Sequence, residues 1–424
     1  MNTQSVKIKR EEDDDGSSAI TIDRLSQLPQ PVLHNILSLL SQKDAIRTSV
    51  LSNSWRYLWH GRLNVEFRDN WFARKPELWS FLDKTLQRYL DHNFSLQKFL
   101  VDIRSVVDYT LLQKWISMAI TNMGVKSLNL IFSCSSIDFR RPLIAFLSET
   151  LVELHLQNCN LNTLKSTDDV MLNNLRTLLL HSVYITDENF DKIISGCPLI
   201  EKLYLLLMDS INPGERMKAF IDTPNILYFA YFGHGFLPSI KFTTTSNEWA
   251  SHISVWPSDN DAMSWFLELN KLLKALSQSH ITLNLIHDEY KKLNIIDSYG
   301  GFDKPVVVKH LGLLGYFSSS SFRAILNCYF RVCRPRYIHM DQYANELTDI
   351  HMDQYANKFA EFICNLIPNN IGWCYSWLQD LEEVRIEVLD YKAKEWNCFQ
   401  GTTLPSSQRF RFRLTWREQL SKLT

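Results

Sequence analysis

The chain has 424 residues, 45% hydrophobic and 12% aromatic, enough apolar surface for a sizeable core and a length typical of two domains or one repeat array. Its 45 basic and 46 acidic residues nearly cancel, so net charge recruits neither nucleic acid nor a membrane surface. Apolar runs such as Leu203–Met208 are far too short to span a bilayer. The first twenty residues hold Lys7, Lys9, Arg10 and five acidic residues rather than an apolar signal core. Eight cysteines (134, 159, 197, 328, 333, 364, 374, 398) are scattered and form no CxxC pair, a pattern of a reducing compartment without a zinc ribbon.

In chain order, residues 1–20 read as a charged, disordered tail with too little apolar surface to offset chain entropy. Residues 21–61 read as three short helices. Pro29 and Pro31 suit a first turn, where missing N–H groups cost little. Val32, Leu33, Ile36, Leu37 and Leu40 follow at helical spacing, with Leu39 widening the stripe. Ser41-Gln-Lys-Asp44 is a capping arrangement for a second helix whose apolar side is Ala45, Ile46 and Val50. Ser52 caps a third helix carrying Trp55, Leu58 and Trp59, with Leu51 as staple and Gly61 as stop. Forty residues with this apolar load seldom make a self-sufficient core, so the helices must pack on the rest of the chain or on a partner. Residues 62–94 are expected to be linker helices joining this trio to the C-terminal part of the chain.

From about residue 95 the pattern becomes a repeat. L-x-x-L-x-L spacing, with apolar swaps, recurs as Val125, Leu128, Leu130; Leu151, Leu154, Leu156; Leu175, Leu178, Leu180; Ile200, Leu203, Leu205; and Ile226, Phe229, Tyr231. A step of 24 to 26 residues lies in the range of leucine-rich repeats, where each unit supplies one strand and a return segment. One return segment reads as a helix, with Thr186-Asp-Glu at its start, Phe190, Ile193 and Ile194 facing inward, and Gly196 at its stop. HISV (252–255), ITLNLI (281–286), VVVKHLGLL (306–314) and LEEVRIEVL (381–389) are expected to be further strands. RFRFRL (409–414) is expected to be a terminal edge strand kept soluble by arginine. The fold class is therefore α/β: a three-helix unit, then a leucine-rich-repeat solenoid over 95–424. Its C-terminal units are irregular, and an insertion lies near 338–361.

That insertion holds an octapeptide, IHMDQYAN, twice, at 338–345 and 350–357. His339, Asp341, His351 and Asp353 are ligand-type residues, yet they meet no metal-ligand spacing, and tandem duplication explains them. Phosphate-loop, dinucleotide, nucleophile-elbow and HExxH motifs are all missing, so neither an enzyme nor a cofactor is implied.

The stretch 23–59 resembles the F-box of plant F-box proteins with leucine-rich repeats. The matching elements are Leu28-Pro29, Ile36-Leu37-Ser38, Lys43-Asp44-Ala45, Arg47 to Ser52, and Trp55 to Trp59; CPLIEKLYL (197–205) resembles the repeat signature found after such F-boxes. The last third departs from the FBD-type ending that many relatives carry. Asn53 and Ser54 stand where the family usually has basic residues, a change expected to weaken steering towards an acidic adaptor.

The resemblance implies a non-catalytic substrate-recognition subunit of an SCF-type ubiquitin ligase, in the cytoplasm or nucleus. The F-box docks on a Skp-type adaptor, which bridges to a cullin scaffold, while the repeats hold an unknown protein for ubiquitination. The rival reading is a repeat scaffold whose F-box has drifted. Adaptor contacts are expected at Leu28, Pro29, Val32, Leu33, Ile36, Leu37, Ile46, Val50, Leu51 and Trp55. Leu28 and Pro29 precede the first helix and have little to pack on locally, which favours partner contact, whereas Ile36 and Leu40 are expected mainly in the core. Trp55 is open between a partner contact and packing within the chain.

In each repeat the x positions of L-x-x-L-x-L point away from the core by strand alternation. The outward candidates for target binding are Glu153, His155, Thr177, Leu179, Lys202, Tyr204 and Tyr228, beside Ser127, Asn129 and Ala230. The row is mixed and not basic, which suits a protein rather than a nucleic acid.

Overall fold

The structure is a computed structural model. It describes residues 27–50, 55, 62–71, 75–103, 109–132, 143–162, 170–207, 217–235, 237–246, 248–257, 262–287, 304–315, 321–341, 349–365, 376–401, 404 and 409–417. The expected tail, Leu51 to Ser54, Leu58, Trp59 and Gly61 lie outside these residues. The chain divides into two compact units, Met1–Leu63 and Asn64–Thr424.

In the first unit, helix α1 spans Gln30–Leu39, with Pro29 at its N-cap, and α2 spans Gln42–Arg47. Ser41 caps α2 as its sequence indicates: Asp44 N–H donates to Ser41 Oγ at 3.1 Å, and the Ser41 hydroxyl donates to Asp44 Oδ2 at 2.7 Å. The hydroxyl, aided by Arg47, holds the Asp44 carboxyl below its ordinary pKa. Arg62 donates to the Leu40 carbonyl at 2.7 Å and so satisfies a carbonyl at the end of α1.

The second unit is built on one long sheet. Its strands are β1 (Asn64–Arg68), β2 (Lys98–Ile103), β3 (Ser127–Phe132), β4 (Glu153–Gln157), β5 (Thr177–His181), β6 (Lys202–Leu206), β8 (Tyr228–His234), β10 (Ala250–Trp256), β11 (His280–His287), β12 (Val306–Gly315) and β13 (Cys333–Asp341), all parallel in this order. Beyond β13 lie β16 (Phe410–Trp416), β14 (Leu381–Asp390) and β15 (Glu395–Cys398), paired antiparallel. A separate parallel pair is formed by β7 (Lys218–Asp222) and β9 (Ser239–Thr243).

The repeat anchors make the core. All fifteen repeat-anchor residues from Val125 to Tyr231 are buried, and Cys159 and Leu161 complete the unit at 151–161. Burying a Leu-sized side chain stabilises by about 1.5–3 kcal/mol, so each three-residue rung is worth several kcal/mol against its ordering entropy. After β4, β5 and β6 the chain turns at Asn158, Ser182 and Leu207, each with positive φ. Each of these residues donates its N–H to the next strand: Asn158 to His181, Ser182 to Leu206 and Leu207 to Phe232. Asn158 adds a side-chain bond to the Phe132 carbonyl at 2.6 Å.

Return segments include α3 (Lys75–Asp91), α4 (Tyr109–Ser117), α5 (Asp187–Ser195), α6 (Ala262–Ala275), α7 (Phe322–Val332) and α8 (Asp349–Cys364). Helix α5 is as expected. Thr186 caps it through Asn189 N–H at 3.2 Å, and Phe190, Ile193 and Ile194 are buried. Its stop at Gly196 is required by space: a Cβ there would sit 2.4 Å from Val170 Cγ1. Asp187 and Asp191 accept N–H bonds from Lys218 and Phe220 at 2.9 and 3.1 Å, satisfying donors of β7.

Four expectations are corrected. The stretch 62–94 is not a linker of helices, because Asn64–Arg68 pairs with β2 and α3 follows it. Its strand was hidden because Val65 and Phe67 alternate in a run of only five residues. The expected insertion at 338–361 is a strand–helix unit, since Cys333–Asp341 continues the parallel ladder. LEEVRIEVL is a strand but joins antiparallel. RFRFRL is not an edge: β16 lies between β13 and β14, and the sheet ends at β15.

The junction between the parallel and antiparallel strands is built from aromatic and charged groups. Trp416 Nε1 donates to the Pro335 carbonyl at 2.8 Å, and Phe330 lies edge-on to Trp416 and Trp377. Arg411 pairs with the buried Glu387 at 2.6 Å and lies over the rings of Tyr337 and Trp396 at 3.9 and 4.2 Å. His310 Nδ1 and His339 Nε2 are 2.8 Å apart, and burial pushes both imidazoles down to about 4. The pair shares one proton in its hydrogen bond, and Arg411 and Lys309 oppose a further one.

Two outcomes test this packing. Asn158→Ala removes a buried hydrogen bond at a left-handed residue and should cost about 2–3 kcal/mol in urea unfolding; Asn174→Ala, whose bond is exposed, should cost under about 1 kcal/mol. The folded imidazoles of His310 and His339 titrate near 4, below their unfolded values. The unfolded chain therefore takes up protons first, and stability falls as pH drops from about 6.5 towards 4. The urea midpoint should fall between pH 7 and pH 5, and fall less in the double variant His310→Gln with His339→Gln. His155, His181 and His252, shifted the same way, keep part of the slope.

Candidate functional site

Two surfaces carry the expected site residues, one on each unit. On the first unit, the apolar residues of α1 form two faces rather than one stripe. At about 100° per residue, Val32, Ile36 and Leu39 fall within about 60° of one another, while Leu33, Leu37 and Leu40 are centred about 100° away. The second face is the core: Leu33 is 3% and Leu37 0% exposed. On the first face Val32 is 41% and Leu39 86% exposed, with Ile36 half-buried. Val50, in the short 3-10 turn Thr48–Val50, is 86% exposed. Pro29 is exposed, and Leu28 and Ile46 are half-buried.

The adaptor-contact set is thereby divided. Leu28, Pro29, Val32, Ile36, Ile46 and Val50 present apolar surface to solvent. Leu33, Leu37 and Trp55 are buried within the chain, the core alternative for these positions. Leu51 lies outside the described residues. Leu39 was missed, because spacing alone placed it beside the buried stripe; the helical angle that separates it from Leu33 and Leu37 was the available signal.

On the second unit, strand register brings all seven outward candidates onto one face. Glu153, Thr177, Lys202 and Tyr228 are successive partners across β4, β5, β6 and β8; His155, Leu179 and Tyr204 form the row beside them. Glu153 and Lys202 are exposed, and the other five are half-buried. Glu153 accepts from the Ser127 hydroxyl at 2.8 Å. Tyr204 and Tyr228 lie tilted at 5.4 Å. His155 has its Nε2 buried without a hydrogen-bond partner, and burial, then His181 and Lys98, push its imidazole down to about 4.

The face extends further than the sequence showed. A third outward row runs His181, Leu206, Phe232, Ser254, Asn284, Gly312, His339. His234 stacks on Trp256 at 3.7 Å, and Phe232 meets Trp256 edge-on at 4.8 Å. Strand alternation applied to the residue after each L-x-x-L-x-L would have found His181, Leu206 and Phe232. The looser period after residue 231 concealed the rest. The face is thus rich in tyrosine, neutral histidine and apolar side chains, with charge at Glu153 and Lys202. What such a face offers is apolar burial and hydrogen bonding rather than bulk charge.

Comparison with known proteins finds relatives of both parts of the chain. An F-box domain family matches residues 25–65, and the family described as FBD-associated F-box protein At5g56370, LRR repeats, matches residues 112–218. F-box/LRR-repeat protein At3g59200 of Arabidopsis thaliana is 32% identical over 244 residues, covering 50% of this chain and 46% of the relative. F-box/LRR-repeat protein At4g14096 of the same plant is 34% identical over 240 residues, covering 49% and 50%. The putative F-box/FBD/LRR-repeat protein At3g59240, also from Arabidopsis thaliana, is 30% identical over 244 residues, covering 50% and 47%. The chain spans about half the length of the curated relatives it matches. This chain carries an F-box domain followed by leucine-rich repeats, and its homologues are F-box/LRR-repeat proteins of Arabidopsis.

Proposed function

We propose that the chain is the substrate-recognition subunit of an SCF-type E3 ubiquitin ligase. Its F-box docks on a Skp-type adaptor, through it on a cullin scaffold, and the repeat sheet holds a protein to be ubiquitinated. The observation that carries this reading is the exposed apolar face of α1, the one that holds Val32 and Leu39. A unit this small that leaves Val32, Leu39 and Val50 in water, with Leu33 and Leu37 already buried, has apolar surface to spare for a partner. The sheet supplies the other half, a long face of half-buried aromatic and polar groups. The receptor performs no bond chemistry in this reading. It raises the effective concentration of an acceptor lysine near the ligase's catalytic subunits.

Val32→Asp with Leu39→Asp in the full chain should weaken capture of a Skp-type adaptor more than about tenfold, because charge is desolvated in the interface, while far-ultraviolet circular dichroism is unchanged. Leu28→Ala with Pro29→Ala should weaken it less. Leu33→Ala should instead lower the thermal midpoint. A wild-type chain that captures no such adaptor would leave a repeat scaffold with a drifted F-box. Unaltered capture by the double aspartate variant would remove α1 as the docking face.

A further inference from the structure

The outward rows of the sheet are not evenly filled. The second row reads Asn129, His155, Leu179, Tyr204, Ala230, His252, Thr282, His310, Tyr337 across the strands. Ala230 is its smallest member and stands between a tyrosine and a histidine. In the third row Ser254 is equally small beside Phe232. Two short side chains on neighbouring strands, ringed by long ones, leave a hollow of about 320 Å³. It is lined by His181, Leu206, Ala230, Tyr231, Phe232, His252 and Ser254.

The hollow is preformed. Asn284 Nδ2 lies 2.8 Å from His252 Nε2 and 3.2 Å from Ser254 Oγ, so one amide holds two lining residues. With that amide donating, His252 carries its proton on Nδ1, and Ser254 keeps its own hydrogen to donate. Asn284 is in turn held by the bare backbone of Gly312, where a Cβ would meet its Oδ1 at 2.2 Å. Among the described residues no Lys, Arg, Asp or Glu lines the hollow. Burial lowers the pKa of both histidines, so both are neutral near pH 7. The exposed charges Glu153 and Lys202 stand on the neighbouring row.

We propose that this hollow is the anchor pocket of the repeat sheet, taking one large uncharged apolar side chain, leucine to tryptophan in size, from the bound target protein. The inference rests on the reading of the sheet as target-binding and adds the chemistry of what it grips. An uncharged lining is the anatomy of a protein interface core, where a few pocketed aromatic anchors carry most of the affinity. The volume lies at the bottom of the range of about 300–1,000 Å³ for small-molecule pockets, which suits one side chain. Gly312 and Asn284 are positioning residues: they fix His252 and Ser254 rather than touch the occupant.

The test uses the full chain and N-acetyl amides of tryptophan, phenylalanine, leucine, lysine and glutamate as probes, followed by saturation-transfer NMR. The three apolar amides should bind, and the two charged amides should bind at least about tenfold more weakly. Ala230→Leu and Ser254→Val, which fill the hollow from two strands, should each abolish the signal. Gly312→Ala should weaken it a few-fold without filling anything, and Asn174→Ala, exposed and outside the hollow, should not change it. Dodecapeptides selected by display on the wild-type chain should share one large apolar residue and lose binding to Ala230→Leu. Equal binding of charged and apolar amides, or selected peptides unaffected by both filling variants, would overturn the proposal. So would a free amide that binds as tightly as any peptide, because the occupant would then be a small molecule. Adaptor capture by Ala230→Leu should equal that of the wild type, so loss of probe binding there is separate from any failure of the ligase reading.

Discussion

The inward ladder of leucines is the constraint on which the second unit depends. Leu128, Leu154, Leu178 and Leu203 are register partners, as are Leu130, Leu156, Leu180 and Leu205, and every one is buried. A slip of one residue would turn each of these outward, so the register is held by the burial of the whole row. Because side chains alternate, the same burial decides which residues face out. The outward rows, and the hollow at Ala230, are therefore consequences of the leucine ladder rather than separate designs.

The same economy appears in the helical unit. Helix α1 has apolar side chains on two faces about 100° apart, and the unit has material to cover only one. Leu33 and Leu37 take the interior, leaving Val32 and Leu39 exposed. The proposed docking surface is what remains after the small core is satisfied. The two surfaces thus differ in kind. The helical one is exposed aliphatic surface on a few turns, suited to a fixed partner. The sheet offers half-buried aromatics and neutral histidines across many strands, suited to a shaped one.

Much of this was legible in the sequence wherever a long period or a local cap carried the signal. The five regular repeats, the Ser41 cap and helix α5 needed no tertiary information. What was missed depended on it. The octapeptide IHMDQYAN shows why: Ile338–Asp341 of the first copy is strand, pairing with β12, whereas Ile350–Asn357 of the second copy lies within α8. Identical local propensity yields opposite structure, so the neighbouring strand decides, and no reading of the letters alone could separate the copies. RFRFRL misled in a related way. Its arginines suggested a solvated edge, but Arg411 is enclosed by Tyr337, Trp396 and Glu387, partners distant in sequence or on another strand. The two faces of α1 were recoverable from helical angle, although which one is buried was not.

The account's central claim is that one chain holds an adaptor and a target on different surfaces. Quantitative affinity purification of the full chain from plant cells, with and without proteasome inhibition, tests it most directly. The account predicts a Skp-type adaptor and a cullin at constant ratio to the chain in both conditions, together with a further protein that accumulates only when degradation is blocked. Recovery of the chain without any Skp-type adaptor in either condition would contradict it.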